Sequence, residues 1–308
     1  MPRLIAGLLL LAAALALAAC GGDDDGGADG ELNRSSGPSA SVAPSTSGPG
    51  DDEPTSPPTV QPTGPQPLYL ALGDSLSAGI GASDELTTSW VPLVRDALGW
   101  DLLNLGVPGD DSFELLYPGG PLDQGLEMIA LRNKDAVAGN EIGVITLEIG
   151  GNDLLDIYFD LVIPGDCPSL VEALQSEVCV SALENALADY RVNLGTALGR
   201  LIEAAPEAPV FLMTLYNPFS GDRGPLDEIG ALALEGAADT PFPEGLNDII
   251  REVGEEYGVH LVEWYEPFLG KKYEYIAQDI IHPNDTGHAV MADAVIAAMA
   301  QAGLPVVD

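Results

Sequence analysis

From residue 67 to the C-terminus, short continuous apolar runs alternate with longer segments of helical period, and this alternation leaves few folds open to the chain. Residues 68–72, 101–105, 142–149, 210–215 and 260–264 read as strands, most of them apolar enough to be buried on both faces. Residues 89–98, 123–132, 181–204, 244–257 and 285–302 read as helices. Within 181–204, Leu183, Leu187, Tyr190, Leu194, Leu198 and Leu201 recur three or four apart, with Glu184, Asp189 and Arg191 between them. That spacing gives one buried stripe and one wet face. Strand–helix alternation predicts an α/β fold with a parallel sheet covered on both sides and ligands bound at the carboxyl ends of its strands. Residues 67–308 suit one core rather than two, and no repeat of solenoid or propeller length is visible.

The first 66 residues stand outside that pattern. In 1–20 the only charged side chain is Arg3, the apolar stretch 4–19 is short for a bilayer span, and Leu17-Ala18-Ala19 precedes Cys20. This resembles a bacterial lipoprotein signal, after which Cys20 becomes the lipidated N-terminus and a membrane anchor; an ordinary secretory signal with a chance cysteine is the alternative. Either sends the chain out of the cytoplasm. Residues 21–66 are dominated by Gly, Ser, Pro, Thr and Asp and hold almost no large apolar side chain, so burial cannot offset their ordering entropy. A disordered tether is expected, serving as a stalk or as neutral filler.

The formal net charge of −37 repels nucleic acid and anionic lipid surfaces, which are therefore excluded as natural partners. With Cys20 assigned to the signal, Cys167 and Cys179 remain as a pair in an oxidising compartment, and a disulfide is expected. Without a nearby histidine the two make only half a zinc shell, so a metal site is the weaker reading. No cofactor or metal is expected.

The polar punctuation lies where an α/β enzyme places its chemistry. Gly73-Asp74-Ser75-Leu76-Ser77 follows the first strand, Asn104 to Gly109 the second, Gly150-Gly151-Asn152-Asp153 the third, and Asp279-Ile280-Ile281-His282 lies beyond the fifth. Serine-mediated ester cleavage needs a nucleophile, a base and donors for a developing oxyanion. Ser75 supplies the first, and His282 is base and then acid. Asp279, three residues before it, holds the imidazole and stabilises its protonated form. The backbone N–H groups of Ser75 and Gly109 and the side-chain amide of Asn152 are the expected oxyanion donors.

These four blocks, in this order, resemble the GDSL-type (SGNH) esterase/lipase family over nearly all of 67–308. The resemblance implies a three-layer α/β/α sandwich with a five-stranded parallel, flavodoxin-like sheet. It also implies metal-independent hydrolysis of carboxylic esters with Ser75, Gly109, Asn152, Asp279 and His282 as the functional set. Asp111 departs from the threonine common after the glycine block. The substrate is expected to be a small-molecule, lipid or glycan ester, and the protein a monomer. Lipid or small acyl ester cleavage leads, with carbohydrate or cell-wall O-deacetylation and a non-catalytic surface module as alternatives. Asp74 and Asp153 read as ties for local turns, His288 as a surface or capping residue and His260 as structural. Two readings stay open: 216–219 lines the pocket or packs inward, and 158–180 forms a lid or wall or is a stapled surface excursion.

Overall fold

The computed structural model describes residues 65–134 and 139–307. The expected signal at 1–20 with Cys20, and all but the last two residues of the expected tether, lie outside the described residues. No helix among the described residues is long and apolar enough to cross a membrane.

Five parallel strands form one sheet: β1 (Leu68–Gly73), β2 (Asp101–Gly106), β3 (Ile142–Glu148), β4 (Val210–Met213) and β5 (His260–Val262), in the order β2-β1-β3-β4-β5. Helices around it include α1 (Ser75–Ala78), α2 (Trp90–Leu98), α3 (Pro121–Lys134), α4 (Gly151–Ile157), α5 (Glu177–Ala204), α6 (Pro225–Glu235), α7 (Leu246–Tyr257) and α8 (Asp285–Gln301). The helices α2 and α8 pack together, as do α3, α5 and α7 in a second group. The chain steps from β1 outward to β2 and then back across to β3. Right-handed crossovers therefore place the two helix groups on opposite faces, which gives the expected three layers. The reversal makes a switch point between β1 and β3, where the strand ends splay connections apart and leave a crevice. Ser75 and Asn152 follow those two strands.

Central strands are buried along nearly their whole length, whereas edge strands β2 and β5 are half-exposed, because each has a neighbour on one side only. His260, on edge strand β5, is exposed and stacks on Phe211 at 4.8 Å between ring centroids. In the layer of α2 and α8, Trp90 and Trp264 meet edge to face at 5.2 Å, both fully buried. Each indole N–H is satisfied, by the carbonyls of Leu76 and Met291 respectively. The Trp90 bond fixes α1, and with it the turn that carries Ser75.

The short helices α1 and α4 answer to no expected helix, and two further departures have a local cause. Helix α5 begins at Glu177 rather than 181, because Ser176 caps it and the first turn includes Cys179. That cysteine forms the expected disulfide with Cys167, and both are buried. Helix α6 is a further element beyond those expected, and Pro225 at its first position with Leu226, Ile229 and Leu232 at helical spacing is its signature.

Candidate active site

At the end of β1 the chain turns sharply into α1, and Asp74 makes that turn by accepting the Leu76 N–H at 2.9 Å through Oδ1. Asp74 therefore does tie a local turn, as read from sequence. The next residue, Ser75, is held at the mouth of the switch-point crevice with its hydroxyl facing the loop before α8. There His282 Nε2 lies 2.9 Å from Ser75 Oγ, and His282 Nδ1 lies 2.7 Å from Asp279 Oδ2. Ser75, His282 and Asp279 thus form one continuous relay across 207 residues of sequence separation.

The short loop holding Asp279 and His282 is tightly determined. Asp279 Oδ1 accepts the N–H groups of Ile281 and His282 at 3.1 and 3.0 Å, leaving Oδ2 free for the imidazole. Burial pushes the Asp279 carboxyl up, but these backbone bonds and the imidazole bond outweigh it, so its pKa is held below the ordinary value. Tyr216 Oη donates to the Ile281 carbonyl at 2.7 Å, and the Ala277 N–H donates to the His282 carbonyl at 2.8 Å. Between these anchors Ile280 is forced to φ +66°, an outlier for a β-branched residue.

A third group of contacts went unread in the sequence: the loop after α1 is fastened to the start of α8. Asp285 accepts bonds from the Ser83 N–H and hydroxyl, both at 2.7 Å, and from the Thr88 hydroxyl at 2.9 Å. His288 is fully buried and its Nε2 donates to the Ile80 carbonyl at 3.1 Å. A surface or capping place was expected for His288; its full burial follows from helix phase, since Gly287, His288, Met291 and Ala292 make the inward stripe of α8. Burial lowers its pKa to about 4, so it stays neutral. Gly81 lies at φ +95°, and a Cβ there would come within 2.2 Å of the Pro283 carbonyl oxygen. Only glycine lets the serine and histidine loops touch at this point.

On the other side of the crevice, Asn152 sits in the first turn of α4. Its Nδ2 donates to the Asp110 carbonyl at 2.8 Å and to Asp74 Oδ2 at 3.3 Å. Gly109, next to Asp110, occupies an exposed turn at φ +92°. Asn152 thus adjoins Ser75 through Asp74, and Gly109 through Asp110. Asp111, the departure in the glycine block, makes a good turn residue: its Oδ1 caps the N–H groups of Phe113 and Glu114. Asp153 does not tie a local turn. It accepts both the N–H (2.9 Å) and the hydroxyl (2.5 Å) of Ser112, joining the loop after β2 to α4, and burial raises its pKa to about 6.

Beneath the turn that carries Ser75 lies a carboxyl pair. Glu148 ends β3, is fully buried, and accepts the Ser77 hydroxyl at 3.1 Å through Oε2. Burial first, and then the Asp74 charge, raise its pKa well above the ordinary carboxylate range. Glu148 therefore carries the proton, and Asp74, with backbone and amide donors, is the partner that ionises. A raised folded-state pKa contributes stability below the unfolded value and loses it as pH rises through the folded one. Glu148→Gln keeps the shape and removes the titration. It is therefore expected to melt at a higher temperature than the parent at pH 8, the gap closing toward pH 4.5. Thermal unfolding at both pH values checks this; a variant that loses as much stability as the parent on alkalinisation contradicts it.

An apolar cavity of about 160 Å³ opens beside the relay, with Ser75, Asn152 and His282 in its lining. Tyr216, Asn217, Pro218 and Phe219 line it too, as do Tyr158, Val162, Leu170 and Val180, so segment 158–180 is a wall of the site. Among the described residues no group of three or more His, Cys, Asp or Glu side chains is placed to hold a metal ion.

The chain resembles several known proteins. The family model described as GDSL-like lipase/acylhydrolase matches residues 71–290. The protein YpmR of Bacillus subtilis is 24% identical over 249 residues, covering 77% of this chain and 83% of its own. The spore germination lipase LipC of Bacillus licheniformis is 24% identical over 236 residues, covering 75% and 95%. Among solved structures, the lipase Lip_vut3 from a goat rumen metagenome shares the fold, with a TM-score of 0.53, 22% identity and coverage of 76% and 97%. Because the family model accounts for most of the chain, and for each of the four blocks around the crevice, this protein belongs to the GDSL-like lipase/acylhydrolase family of ester-hydrolysing enzymes.

Proposed function

We propose that this enzyme cleaves carboxylic esters by double displacement through an acyl-enzyme on Ser75, acting outside the cytoplasm on lipid or small acyl esters. The observation that carries this reading is the unbroken relay of Ser75 Oγ, the His282 imidazole and the Asp279 carboxylate.

In the first half-reaction Ser75 Oγ bonds to the ester carbonyl carbon as its proton passes to His282 Nε2, and the carbonyl oxygen becomes an oxyanion. Asp279 stabilises the imidazolium and keeps Nδ1 protonated throughout. Asn152 Nδ2 and the backbone N–H groups of Ser75 and Gly109 receive the negative oxygen, each donor typically contributing about 3 kcal/mol to the transition state. Collapse breaks the carbon–oxygen bond to the alcohol, which leaves with the proton from Nε2. Water then repeats the sequence against the acyl-enzyme and restores Ser75.

The intact relay favours turnover over a non-catalytic binding role, and the apolar cavity favours an aliphatic group over the sugar of a carbohydrate O-deacetylase. The extracytoplasmic location, with Cys20 as lipid anchor, is supported by the signal-like residues 1–20 and by a disulfide of the kind that persists in oxidising compartments. Cell fractionation leaving the full chain, signal included, in the cytoplasm would refute the location. For the chemistry, a fluorophosphonate is expected to label folded protein stoichiometrically at Ser75 and to abolish hydrolysis of p-nitrophenyl acetate. Labelling elsewhere, or hydrolysis that survives it, rules the mechanism out.

A further inference from the structure

We propose that the cavity beside Ser75 is a length-selective subsite for an aliphatic chain of about six carbons on the ester, and that the segment stapled by Cys167–Cys179 closes its end. The inference rests on the reading that Ser75 cleaves esters, and adds the class of ester.

The lining argues for hydrocarbon. No Lys, Arg or Glu side chain contributes to it, and its aliphatic wall includes Leu154, Leu183 and Ile229. Beyond the relay Asp74, Asn152, Tyr158, Tyr216 and Asn217 also line it, and the two on the segment after β4 are already occupied. Tyr216 Oη donates to the Ile281 carbonyl; Asn217 Nδ2 donates to Asp227, and its Oδ1 accepts the Phe219 N–H. Away from Ser75 a sugar hydroxyl would meet mostly hydrocarbon and give up water for few partners, whereas methylene groups would be desolvated without loss.

Size follows from volume. The cavity, about 160 Å³, is close to the roughly 150 Å³ of a leucine- and phenylalanine-lined void that takes up benzene, a six-carbon guest. Its limits come from elements that hold none of the relay residues. The helical turn Leu170–Ala173 packs against α6, and both contribute side chains to the wall. The two disulfide cysteines line it as well. The bridge ties residue 167, ahead of that turn, to the first turn of α5, so the wall segment is anchored at both ends.

Each methylene buried in such a site raises kcat/KM by about fourfold. The test is an ester series in two arms: p-nitrophenyl acetate to octanoate varies the acyl chain, and ethyl to octyl acetate varies the alcohol. In one arm kcat/KM is expected to climb about fourfold per methylene and to level off near six carbons; the arm that climbs identifies which side of the ester occupies the subsite. Ala233→Trp on α6 and Ala173→Trp in the stapled turn are each expected to lower the six-carbon to two-carbon ratio at least tenfold. Reduction of the disulfide is expected to abolish the levelling-off. Profiles flat or falling from two carbons in both arms, or ratios untouched by both tryptophans, overturn the subsite while leaving the esterase reading intact. A levelling-off that survives reduction overturns the role of the staple. If no ester is turned over, the esterase reading fails separately, and calorimetry on the Ser75→Ala protein decides the subsite. Octanamide binding at least 100-fold tighter than acetamide supports it, and equal binding overturns it.

Discussion

Ser75→Ala is expected to lower ester turnover by a factor on the order of 10⁶, with thermal unfolding little changed. In the proposed mechanism this hydroxyl is the attacking group, and its loss removes one oxygen from a site whose turn is held by Asp74 rather than by Ser75 itself. His282→Ala is expected to cost as much, and the double variant no more than either single one, because nucleophile and base act as a unit. Asp279→Asn separates the roles more finely. Its Oδ1 can still accept the Ile281 and His282 N–H groups, so the loop survives, but an amide NH₂ would face His282 Nδ1. That contact moves the ring proton to Nε2, the atom that must accept from Ser75, and a loss of about 10⁴ in kcat follows. Initial rates with p-nitrophenyl acetate check all four proteins. Retention of more than about a hundredth of parental activity by Ser75→Ala, against the expected 10⁶, would show that another group attacks the ester.

How much of this was legible in advance depends on the range over which each signal acts. The five strands could be read because a parallel strand is a local apolar run, and the stripe on α5 because helical period is local too. The four polar blocks could be read because each is short, and three of them sit directly at strand ends. What escaped was either cross-chain or dependent on phase. The Asp285 clamp on Ser83 and Thr88 spans about 200 residues and rests on hydroxyls and a carboxylate that look like any solvated turn. His288 appeared exposed from its neighbours in sequence, and only the inward stripe of α8 explains its burial. The Glu148–Asp74 pair was hidden because a glutamate in a strand gives no sign that the group packed beneath it is also acidic. Gly81 needed the histidine loop in place before its missing side chain had meaning.

Asn152→Ala is expected to lower kcat by about 10² to 10³ with KM nearly unchanged, because a donor to the oxyanion acts in the transition state and not on the ground-state ester. The upper end of that range is favoured by a second job of the same amide. Its bond to the Asp110 carbonyl holds the loop that carries Gly109, so truncation removes one donor and slackens another. Asn152→Asp should do worse, although it is the smaller change in shape. A carboxylate there would face the Asp110 carbonyl and Asp74 Oδ2, two acceptors, where the amide donates. It escapes repulsion only by taking up a proton, and one proton cannot both hold the Asp110 carbonyl, as one amide hydrogen does, and serve the oxyanion, as the other does on leaving its longer 3.3 Å contact with Asp74. The deficit relative to Asn152→Ala should widen as pH rises and the introduced carboxyl ionises. Steady-state kinetics of the two variants between pH 6 and 9 measure both effects. A raised KM with intact kcat in Asn152→Ala would mean that the amide grips substrate and transition state alike, and Asn152 would then belong to ester binding rather than to catalysis.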